Sequence, residues 1–197
     1  MSALDDAPLI DPGDRAGWRA WLEANHATAR GAWLVVPRPR SAGEALDYEA
    51  AVEEALCFGW IDGVAGRAED GRTKQYFAPR KPGGTWSASN KARVERLLAA
   101  GLLAPAGLAA IERAHANGAW ELLDSVERME VPGDLTAALA AHDGATEQWA
   151  VWSASMRKSM LAWLVLAKRS ETRTARIAEI AASAARGDVP APFRRRD

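Results

Sequence analysis

The sequence Phe58-Gly59-Trp60-Ile61-Asp62-Gly63 begins the stretch that decides the fold of this chain, and the stretch continues to Arg96. Its bulky aromatic and β-branched residues favour a strand. Asp70-Gly71 follows as a hairpin-turn signal, because both central positions of a type I′ turn require positive φ. Residues from Thr73 to Pro79 are therefore predicted as the returning strand, which ends where Pro79 and Pro82 remove backbone donors.

A basic loop and a helix follow the predicted hairpin. Ser87 is predicted as the N-cap of this helix, and Gly101 lies where the glycine after a helix belongs. Helical spacing puts Asn90 inside the apolar arc and Arg93 on its edge, where an amide needs partners and a guanidinium needs an anion or a carboxylate. Between Arg67 and Arg96, eight Lys and Arg stand against three Asp and Glu. Positive charge beside a helix N-terminus favours an anion.

The stretch therefore predicts a pocket for an anionic small ligand. The candidate ligand-binding residues are basic, aromatic or hydrogen-bonding: Trp60, Asp62, Tyr76, Arg80, Lys81, Trp86, Ser87, Asn90 and Arg93. Asp62 is expected to orient the arginines, and it is also the candidate acid or base of an enzyme acting on a phosphorylated or carboxylated metabolite. A purely structural alternative stays open, in which the basic residues pair with the chain's own carboxylates, Asp62 among them, and Trp60, Tyr76 and Trp86 belong to the core.

The composition, with 48% hydrophobic and 26% charged residues over 197 positions, is typical of a soluble globular protein. The net charge of −1 disfavours nucleic acid as a partner. Nucleic acid still remains an alternative, because aromatic residues lie among Lys and Arg between residues 157 and 176. With Cys57 as the only cysteine and three scattered histidines, we expect neither an intrachain disulfide nor a metal site. Gly83-Gly84 is not followed by Gly-Lys-Ser/Thr, so no cofactor is predicted.

The N-terminal sequence argues against export. Residues 1–14 are acidic and lack the basic and apolar regions of a signal peptide. No apolar run reaches the roughly 18–20 residues that a membrane span needs. We therefore expect a cytoplasmic protein without a membrane span.

The remaining N-terminal residues predict helices around a small sheet. Asp14 is expected to cap a helix that runs to about Asn25, and residues 32–36 read as a short strand. Tyr48 to Cys57 is predicted as a helix whose glutamates, Glu49, Glu53 and Glu54, form a solvated face. The predicted fold class is α+β, in which residues 1–131 form a domain with a mixed sheet of about three strands and packed helices.

The C-terminal residues are predicted to be all helical. Val131-Pro132-Gly133 reads as a linker, and Asp134 is expected to cap the first helix beyond it. Residues 134–187 are predicted as a helical C-terminal module. Residues 188–197, which include Arg194-Arg195-Arg196, are predicted as a basic tail.

Several of these motifs resemble the bacterial YdeI/OmpD-associated family, also called bacteriocin-protection proteins. The resemblance is carried by residues 58–63, 76–82 and 85–93, and at the C-terminus by Trp163, residues 167–173 and Arg176-Ile177. It extends from Trp18 to Gly187. It implies a soluble bacterial protein associated with stress and with resistance to antimicrobial peptides, and it implies no established catalytic residues.

The family name raises the question of which partner is bound. Antimicrobial peptides are mostly cationic, and the basic central stretch would repel them. The acidic segments of the chain could bind such a peptide, or protection is indirect, through an anionic metabolite or a regulatory partner. A scaffold that binds a protein partner is a further alternative, and it would present tryptophans as an exposed apolar patch.

Overall fold

The computed structural model describes residue 4, residues 6–35 and residues 46–194. The chain divides into two units, Met1–Trp120 and Glu121–Asp197. This boundary precedes Val131-Pro132-Gly133, the segment that the sequence indicated as a linker. Val36, the last residue of the predicted short strand, and the tail residues Arg195 and Arg196 lie outside the described residues.

The first unit is an α+β structure built on one mixed sheet. Its strands are β1 (Leu9–Ile10), β2 (Ala32–Val35), β3 (Trp60–Arg67) and β4 (Thr73–Pro79), and its helices are α1 (Arg15–Asn25), α2 (Tyr48–Cys57), α3 (Ala88–Ala99) and α4 (Pro105–Ala116). The strand order is β1-β2-β4-β3, and only the β1–β2 pair is parallel. The predicted fold class is confirmed. The described part of the sheet has four strands rather than about three, because Leu9 and Ile10 pair with β2.

The central hairpin forms where its turn signal predicts, but the predicted type I′ turn is wrong, because Asp70 does not have the positive φ that this turn requires. Gly71 has a φ of +80°, and the Ala68 amide donates to the Arg72 carbonyl across the turn at 2.9 Å. A β-bulge interrupts β3, because Asp62 pairs with Phe77 whereas Ala65 already pairs with Gln75. Such a bulge bends the edge strand and re-aims the side chains beside it.

Tryptophans fill the core of the first unit. Trp18 is fully buried, stacks on Trp21 at 5.2 Å between ring centroids, and donates from Nε1 to the Ala51 carbonyl. Trp60 contacts Trp21 edge-on and donates to the His26 carbonyl at 3.2 Å. These hydrogen bonds satisfy the indole N–H groups, so the rings can be buried at little polar cost.

Glu54 is buried, and the prediction that it belongs to a solvated face is wrong. Its side chain is only 4% exposed. It accepts hydrogen bonds from Arg15 Nε at 2.6 Å and from Arg19 Nη1 at 2.8 Å. The two arginines lie four residues apart on α1, and both donate to the Glu54 carboxylate on α2. The packing of α1 against α2 therefore buries Glu54 beside its partners.

We expect Glu54→Ala to lower the free energy of unfolding by about 2–3 kcal/mol. The substitution leaves two partly buried guanidinium groups without their shared carboxylate, although their remaining exposure to water limits the cost. Urea unfolding followed by tryptophan fluorescence measures the change. Glu95→Ala, on an exposed position of α3, is the control and should cost less than about 0.5 kcal/mol. Equal costs for the two variants would contradict the structural role of Glu54.

The second unit is helical throughout its described residues. Its helices are α5 (Asp124–Glu127), α6 (Gly133–Ala140), α7 (Ala145–Val151), α8 (Ala154–Val165) and α9 (Ser170–Ala185), followed by a 3₁₀ turn (Ala191–Phe193). A core of large apolar side chains holds them together, including Leu135, Trp149, Met160, Leu161, Leu164 and Ile180. The helices of the described ranges include none with the length and apolar character that crossing a membrane requires.

Asp134 has a different role from the predicted N-cap. Pro132 occupies the N-cap of α6, and Asp134 lies in the first turn. There it accepts two hydrogen bonds from Arg173 of α9, from Nε at 2.8 Å and from Nη2 at 2.9 Å. The carboxylate therefore joins two helices, and the Arg173 guanidinium holds the pKa of Asp134 below its ordinary value.

Candidate ligand-binding cavity

A cavity of about 340 Å³ lies in the first unit, beside the start of β3 and the loop that follows β4. Its lining residues are Ile61, Asp62, Gly63, Tyr76, Ala78, Pro79, Arg80, Lys81, Gly84 and Thr85. Four of the predicted ligand-binding residues, Asp62, Tyr76, Arg80 and Lys81, thus line one cavity. All of its lining residues come from the hairpin and the loop that the sequence singled out.

The backbone explains why these side chains meet. The Arg80 amide donates to the Gly59 carbonyl at 2.9 Å and so extends the pairing of the hairpin past the end of β4. The Gly84 amide donates to the Lys81 carbonyl at 2.8 Å and closes a turn at the edge of the cavity. A Cβ atom on Gly31 would lie 2.0 Å from the Tyr76 hydroxyl, so only glycine there leaves room for the Tyr76 ring.

Arg80 is the least satisfied charged group of the cavity. Its guanidinium stacks on the buried Trp86 ring at 3.5 Å from the centroid, and its Nη1 donates to the Thr85 carbonyl at 3.0 Å. Its Nε and Nη2 are buried and have no hydrogen-bond partner among the described residues; we call these two atoms the open donors. Burial lowers the pKa of Arg80 from its ordinary value to about 10, since the nearby Asp62 charge offsets the effect of burial only in part.

Asp62 lies in the same cavity but does not bind the arginines. Its Oδ2 accepts a hydrogen bond from the Tyr48 hydroxyl at 2.6 Å. Burial and this hydrogen bond raise the pKa of Tyr48 to about 12. Asp62 therefore acts on Arg80 only through space, rather than by the direct contact that would orient the guanidinium.

Lys81 adds a second positive charge at the mouth of the cavity. Its side chain is exposed, and it forms no ion pair with any residue in the ranges that the structure describes. The lining of the cavity thus includes two basic residues and one acidic residue, which gives it a net positive charge. Asp62 pairs with Phe77 across β3 and β4, so its side chain lies on the opposite face of the sheet from Tyr76.

The other predicted ligand-binding residues lie outside the cavity lining. Trp60 and Trp86 are buried, and Trp86 serves as the platform for Arg80. Ser87 caps α3, where its Oγ accepts from the Asn90 amide. Asn90 Oδ1 accepts from Arg93 Nη1 at 2.8 Å. These contacts give Trp60, Trp86, Ser87 and Asn90 structural partners of their own.

Arg93 binds a carboxylate of α2. Its Nε and Nη2 donate to the two oxygens of Glu49 at 2.9 and 2.6 Å. All three guanidinium nitrogens are therefore engaged once the Asn90 contact is included. The hydrogen bond from Arg93 is the main reason why the pKa of Glu49 is lowered.

We expect Arg93→Ala to lower the free energy of unfolding by about 1 kcal/mol at pH 7, because Glu49 is half-exposed and the pair is partly screened. Glu49 has a lowered pKa in the folded state, so the pair stabilises the protein above the ordinary glutamate pKa of 4.5. That stabilisation is lost as the pH falls through the lowered value. Urea unfolding at pH 7 and pH 3 should show a smaller difference between variant and wild type at pH 3 than at pH 7. A difference that persists undiminished at pH 3 would contradict this assignment.

Sequence reasoning missed Tyr48, Thr85 and Gly31 as contributors to the site. Thr85 contributes a backbone carbonyl, which any residue would supply. Tyr48 begins α2 and reaches Asp62 from another element, and Gly31 acts by lacking a side chain. Only Thr85 carried a usable signal, since it lies within the distinctive stretch from Phe58 to Arg96.

Metal and thiol chemistry find little support in the described residues. They include no group of three His, Cys, Asp or Glu side chains that could hold a metal ion. Cys57 is buried, and burial raises its pKa to about 11. A thiol of that kind stays protonated at neutral pH and is a poor nucleophile.

The second unit has a cavity of its own, of about 370 Å³. Apolar side chains form most of it, including Val126, Leu161, Leu164 and Val165. Arg173 also lines it, but its Nε and Nη2 are committed to Asp134. The residues predicted for ligand binding all lie in the first unit.

Comparison with protein families finds two matches, one within each half of the chain. The family model described as "Domain of unknown function (DUF8412)" matches residues 10–110, which include the whole cavity of the first unit. The model described as "Bacteriocin-protection, YdeI or OmpD-Associated" matches residues 128–187. No curated protein and no solved structure matched the chain.

The predicted family resemblance is therefore confirmed at the C-terminal residues, while the hairpin motif falls within the other family match. The longer match covers just over half of the 197 residues. The chain belongs to the DUF8412 family, and its residues 128–187 match the model of the bacteriocin-protection, YdeI- or OmpD-associated family.

Proposed function

We propose that the first unit binds an anionic small molecule in the cavity at Arg80 and Lys81. The observation that carries this proposal is the pair of open donors on Arg80. Buried polar groups in folded proteins are nearly always hydrogen-bonded, and a buried charge without a partner is costly. A carboxylate or phosphate oxygen would supply both the missing acceptors and the missing charge.

The setting of Arg80 favours such a ligand. Stacking on Trp86 and the bond to the Thr85 carbonyl fix the guanidinium plane before any ligand arrives. A planar guanidinium held in one orientation binds a carboxylate or phosphate with directed, charge-assisted hydrogen bonds. Lys81, as a flexible ammonium at the mouth, adds charge without imposing geometry.

The link to bacteriocin protection comes from the domain at residues 128–187. We propose that the protein contributes to stress and antimicrobial-peptide resistance indirectly, through an anionic metabolite. The cavity is net positive, so it would repel a cationic peptide. The peptide itself is therefore a poor candidate for the occupant of this site.

An enzymatic role is the second candidate, and it rests on Asp62. Asp62 is among the lining residues of the cavity, and its Oδ2 accepts a hydrogen bond from the Tyr48 hydroxyl. Asp62 would act as a general base on a phosphorylated or carboxylated metabolite, with Tyr48 holding it in place. Turnover of such metabolites, followed by NMR and lost in Asp62→Asn, would favour the enzyme over the binding protein.

Nucleic-acid binding and a scaffold role both lack supporting geometry. Single-stranded nucleic acid needs exposed aromatic faces for stacking, whereas Trp163, the tryptophan among the basic residues 157–176, is half-buried and already contacts the Phe193 ring and the Arg176 guanidinium. A scaffold protein would present an exposed patch of tryptophans. Trp18, Trp149 and Trp152 are also buried in the cores of their own units.

A thermal-shift experiment on the full chain tests the anion proposal. The probes are inorganic phosphate, acetate and succinate, each compared with chloride at equal ionic strength. At about 100 times its dissociation constant, a ligand stabilises the folded state by roughly 2.7 kcal/mol. We expect stabilisation by at least one probe in the wild type and in Arg113→Gln, which removes an exposed charge of α4. The stabilisation should be absent in Arg80→Gln. Equal stabilisation of both variants, or none in the wild type, would overturn the proposal.

A further inference from the structure

We propose that the ligand of this cavity is a compact aromatic carboxylate, with its carboxylate on Arg80 and its ring against Tyr76. This inference rests on the proposed anion site and adds the chemical class of the ligand. It divides the ligand into two parts, an anionic group and an aromatic ring, which different residues of the cavity would bind.

The first argument is which two donors of Arg80 are open. They are Nε and Nη2, which lie along one edge of the guanidinium plane and can donate two parallel hydrogen bonds. The protein binds carboxylates with this same edge elsewhere. Arg93 donates from Nε and Nη2 to the two oxygens of Glu49. Arg173 does the same to the two oxygens of Asp134. The open edge of Arg80 therefore matches the two oxygens of a carboxylate.

The other contacts of Arg80 leave this edge available. Its Nη1 donates to the Thr85 carbonyl, and the Trp86 ring covers a face of the guanidinium rather than the edge. The open donors are buried, so bulk water does not satisfy them in place of a carboxylate.

The second argument is the position of the Tyr76 ring. A Cβ atom on Gly31 would lie 2.0 Å from the Tyr76 hydroxyl oxygen and 2.5 Å from its Cζ. A Cβ atom on Gly63 would lie 3.3 Å from the Tyr76 Cδ1. The ring therefore lies against the backbone of both glycines, and Trp33 contacts it edge-on at 5.3 Å between centroids. These neighbours hold one half-buried aromatic ring in place in the wall of the cavity.

The strand register puts apolar side chains beside this ring. Ile61 pairs with Ala78 across β3 and β4, and Ala78 lies two residues after Tyr76, so the three side chains share one face of the sheet. All three residues line the cavity, together with Arg80 and Lys81. The cavity thus has an apolar, aromatic part next to a basic part. A ligand ring gains from burial on the apolar part, and contact between two aromatic rings adds to that gain.

The cavity volume sets the size of the ligand. At about 340 Å³ it lies at the lower end of the range for small-molecule sites. One ring with one carboxylate suits this volume, whereas a dinucleotide or a folded peptide would extend beyond it.

Matched probes separate the aromatic carboxylate from other anions. Isothermal titration calorimetry on the full chain would compare benzoate with acetate, with cyclohexanecarboxylate and with phenyl phosphate. Acetate lacks the ring, cyclohexanecarboxylate lacks the aromaticity, and phenyl phosphate lacks the carboxylate. We expect benzoate to bind at least about tenfold more tightly than acetate, roughly two- to tenfold more tightly than cyclohexanecarboxylate, and more tightly than phenyl phosphate.

Variants then assign each preference to its residue. Tyr76→Leu should abolish the preference for benzoate over cyclohexanecarboxylate and leave the affinity for acetate unchanged. Tyr76→Phe, which keeps the ring and its packing, should keep that preference. Arg80→Lys keeps a positive charge but loses the paired donors, so it should bind benzoate at least about tenfold more weakly. Arg113→Lys, the same substitution at an exposed position of α4, should bind benzoate as the wild type does.

The outcomes distinguish this inference from the proposal on which it rests. If acetate or phenyl phosphate binds as tightly as benzoate, the anion site stands and the aromatic carboxylate is wrong. If cyclohexanecarboxylate matches benzoate, or if Tyr76→Leu keeps the preference, the ring contact with Tyr76 is wrong. If none of the probes binds to the folded wild type, both the inference and the anion site fail.

Discussion

An Arg80→Met variant should lose anion binding without losing stability. Methionine keeps much of the packing on Trp86 but removes the charge and the open donors. Most substitutions of a buried residue lower the free energy of unfolding. Here we expect the free energy of unfolding to rise by roughly 1–2 kcal/mol, because the wild-type charge is buried with only partial compensation from Asp62.

The expected gain follows from the pKa of Arg80. Burial lowers it to about 10 in the folded state, so the unfolded chain holds this proton more tightly. Below pH 10 both states are charged, and the folded state carries a penalty on the order of 3 kcal/mol. The penalty is relieved only as the pH rises above 10 towards the ordinary pKa of arginine. Losing the Thr85 hydrogen bond and the cation–π contact costs about 1–2 kcal/mol and leaves a net gain.

Urea unfolding at pH 8 measures this effect, with the anion binding of the same preparations followed in parallel. Arg80→Lys is the control, because it keeps a buried charge and loses the planar fork, so it should be less stable than Arg80→Met. A loss of more than about 2 kcal/mol in Arg80→Met would mean that the guanidinium is compensated in the folded protein. The argument for a missing anion would then fail.

Gly107→Ala should destabilise the first unit by about 3 kcal/mol or more. Alanine in a helix normally gains about 1 kcal/mol over glycine. At this position, however, the added Cβ would lie 2.3 Å from the Cys57 carbonyl oxygen and 2.9 Å from that of Leu56. Both are backbone atoms at the end of α2, so no side chain can rotate away, and α4 has to move off α2.

The displacement would also weaken a hydrogen bond, since the Ala104 amide just before α4 donates to the same Cys57 carbonyl at 3.0 Å. Gly83→Ala is the matched control, because Gly83 has no atom within 4 Å of an added Cβ and lies in the loop beside the cavity. Chemical unfolding should show a change of less than about 0.5 kcal/mol for the control. A stability of Gly107→Ala within that margin would contradict the close approach of α2 and α4.

Local signals were the reliable ones in the sequence. Asp14 caps α1 and Ser87 caps α3, as predicted, because a capping side chain needs only its own first turn. Gly71 and Gly101 have the positive φ that their turn and helix-end positions require. The hairpin followed from the same local chemistry, since its turn joins adjacent strands.

Features that depend on distant partners could not be predicted in the same way. Glu54 is buried because Arg15 and Arg19 come to it from another helix. Asp134 forgoes the N-cap position and meets Arg173, which lies 39 residues further along the chain. The spacing of charges along one helix carries no information about which helix will pack beside it.

The candidate site shows both what local sequence signals can predict and what they cannot. The motif from Phe58 to Arg96 contained Asp62, Arg80 and the other residues that line the cavity, because one hairpin and one loop bring them together. It did not separate Arg80 from Arg93, since both are arginines in the same basic stretch. The difference lies in Glu49, which comes from α2 and engages Arg93 but not Arg80.

NMR of the arginine Nε–Hε groups tests the central claim most directly, because it observes one of the open donors of Arg80. Inorganic phosphate, acetate and benzoate would be titrated into the labelled full chain, with Arg80→Lys used to assign the Arg80 signal. The account predicts that the Arg80 resonance shifts and exchanges more slowly with water as a probe binds, while Arg113 does not change. An Arg80 resonance that stays unchanged at saturating concentrations of all three probes would contradict it.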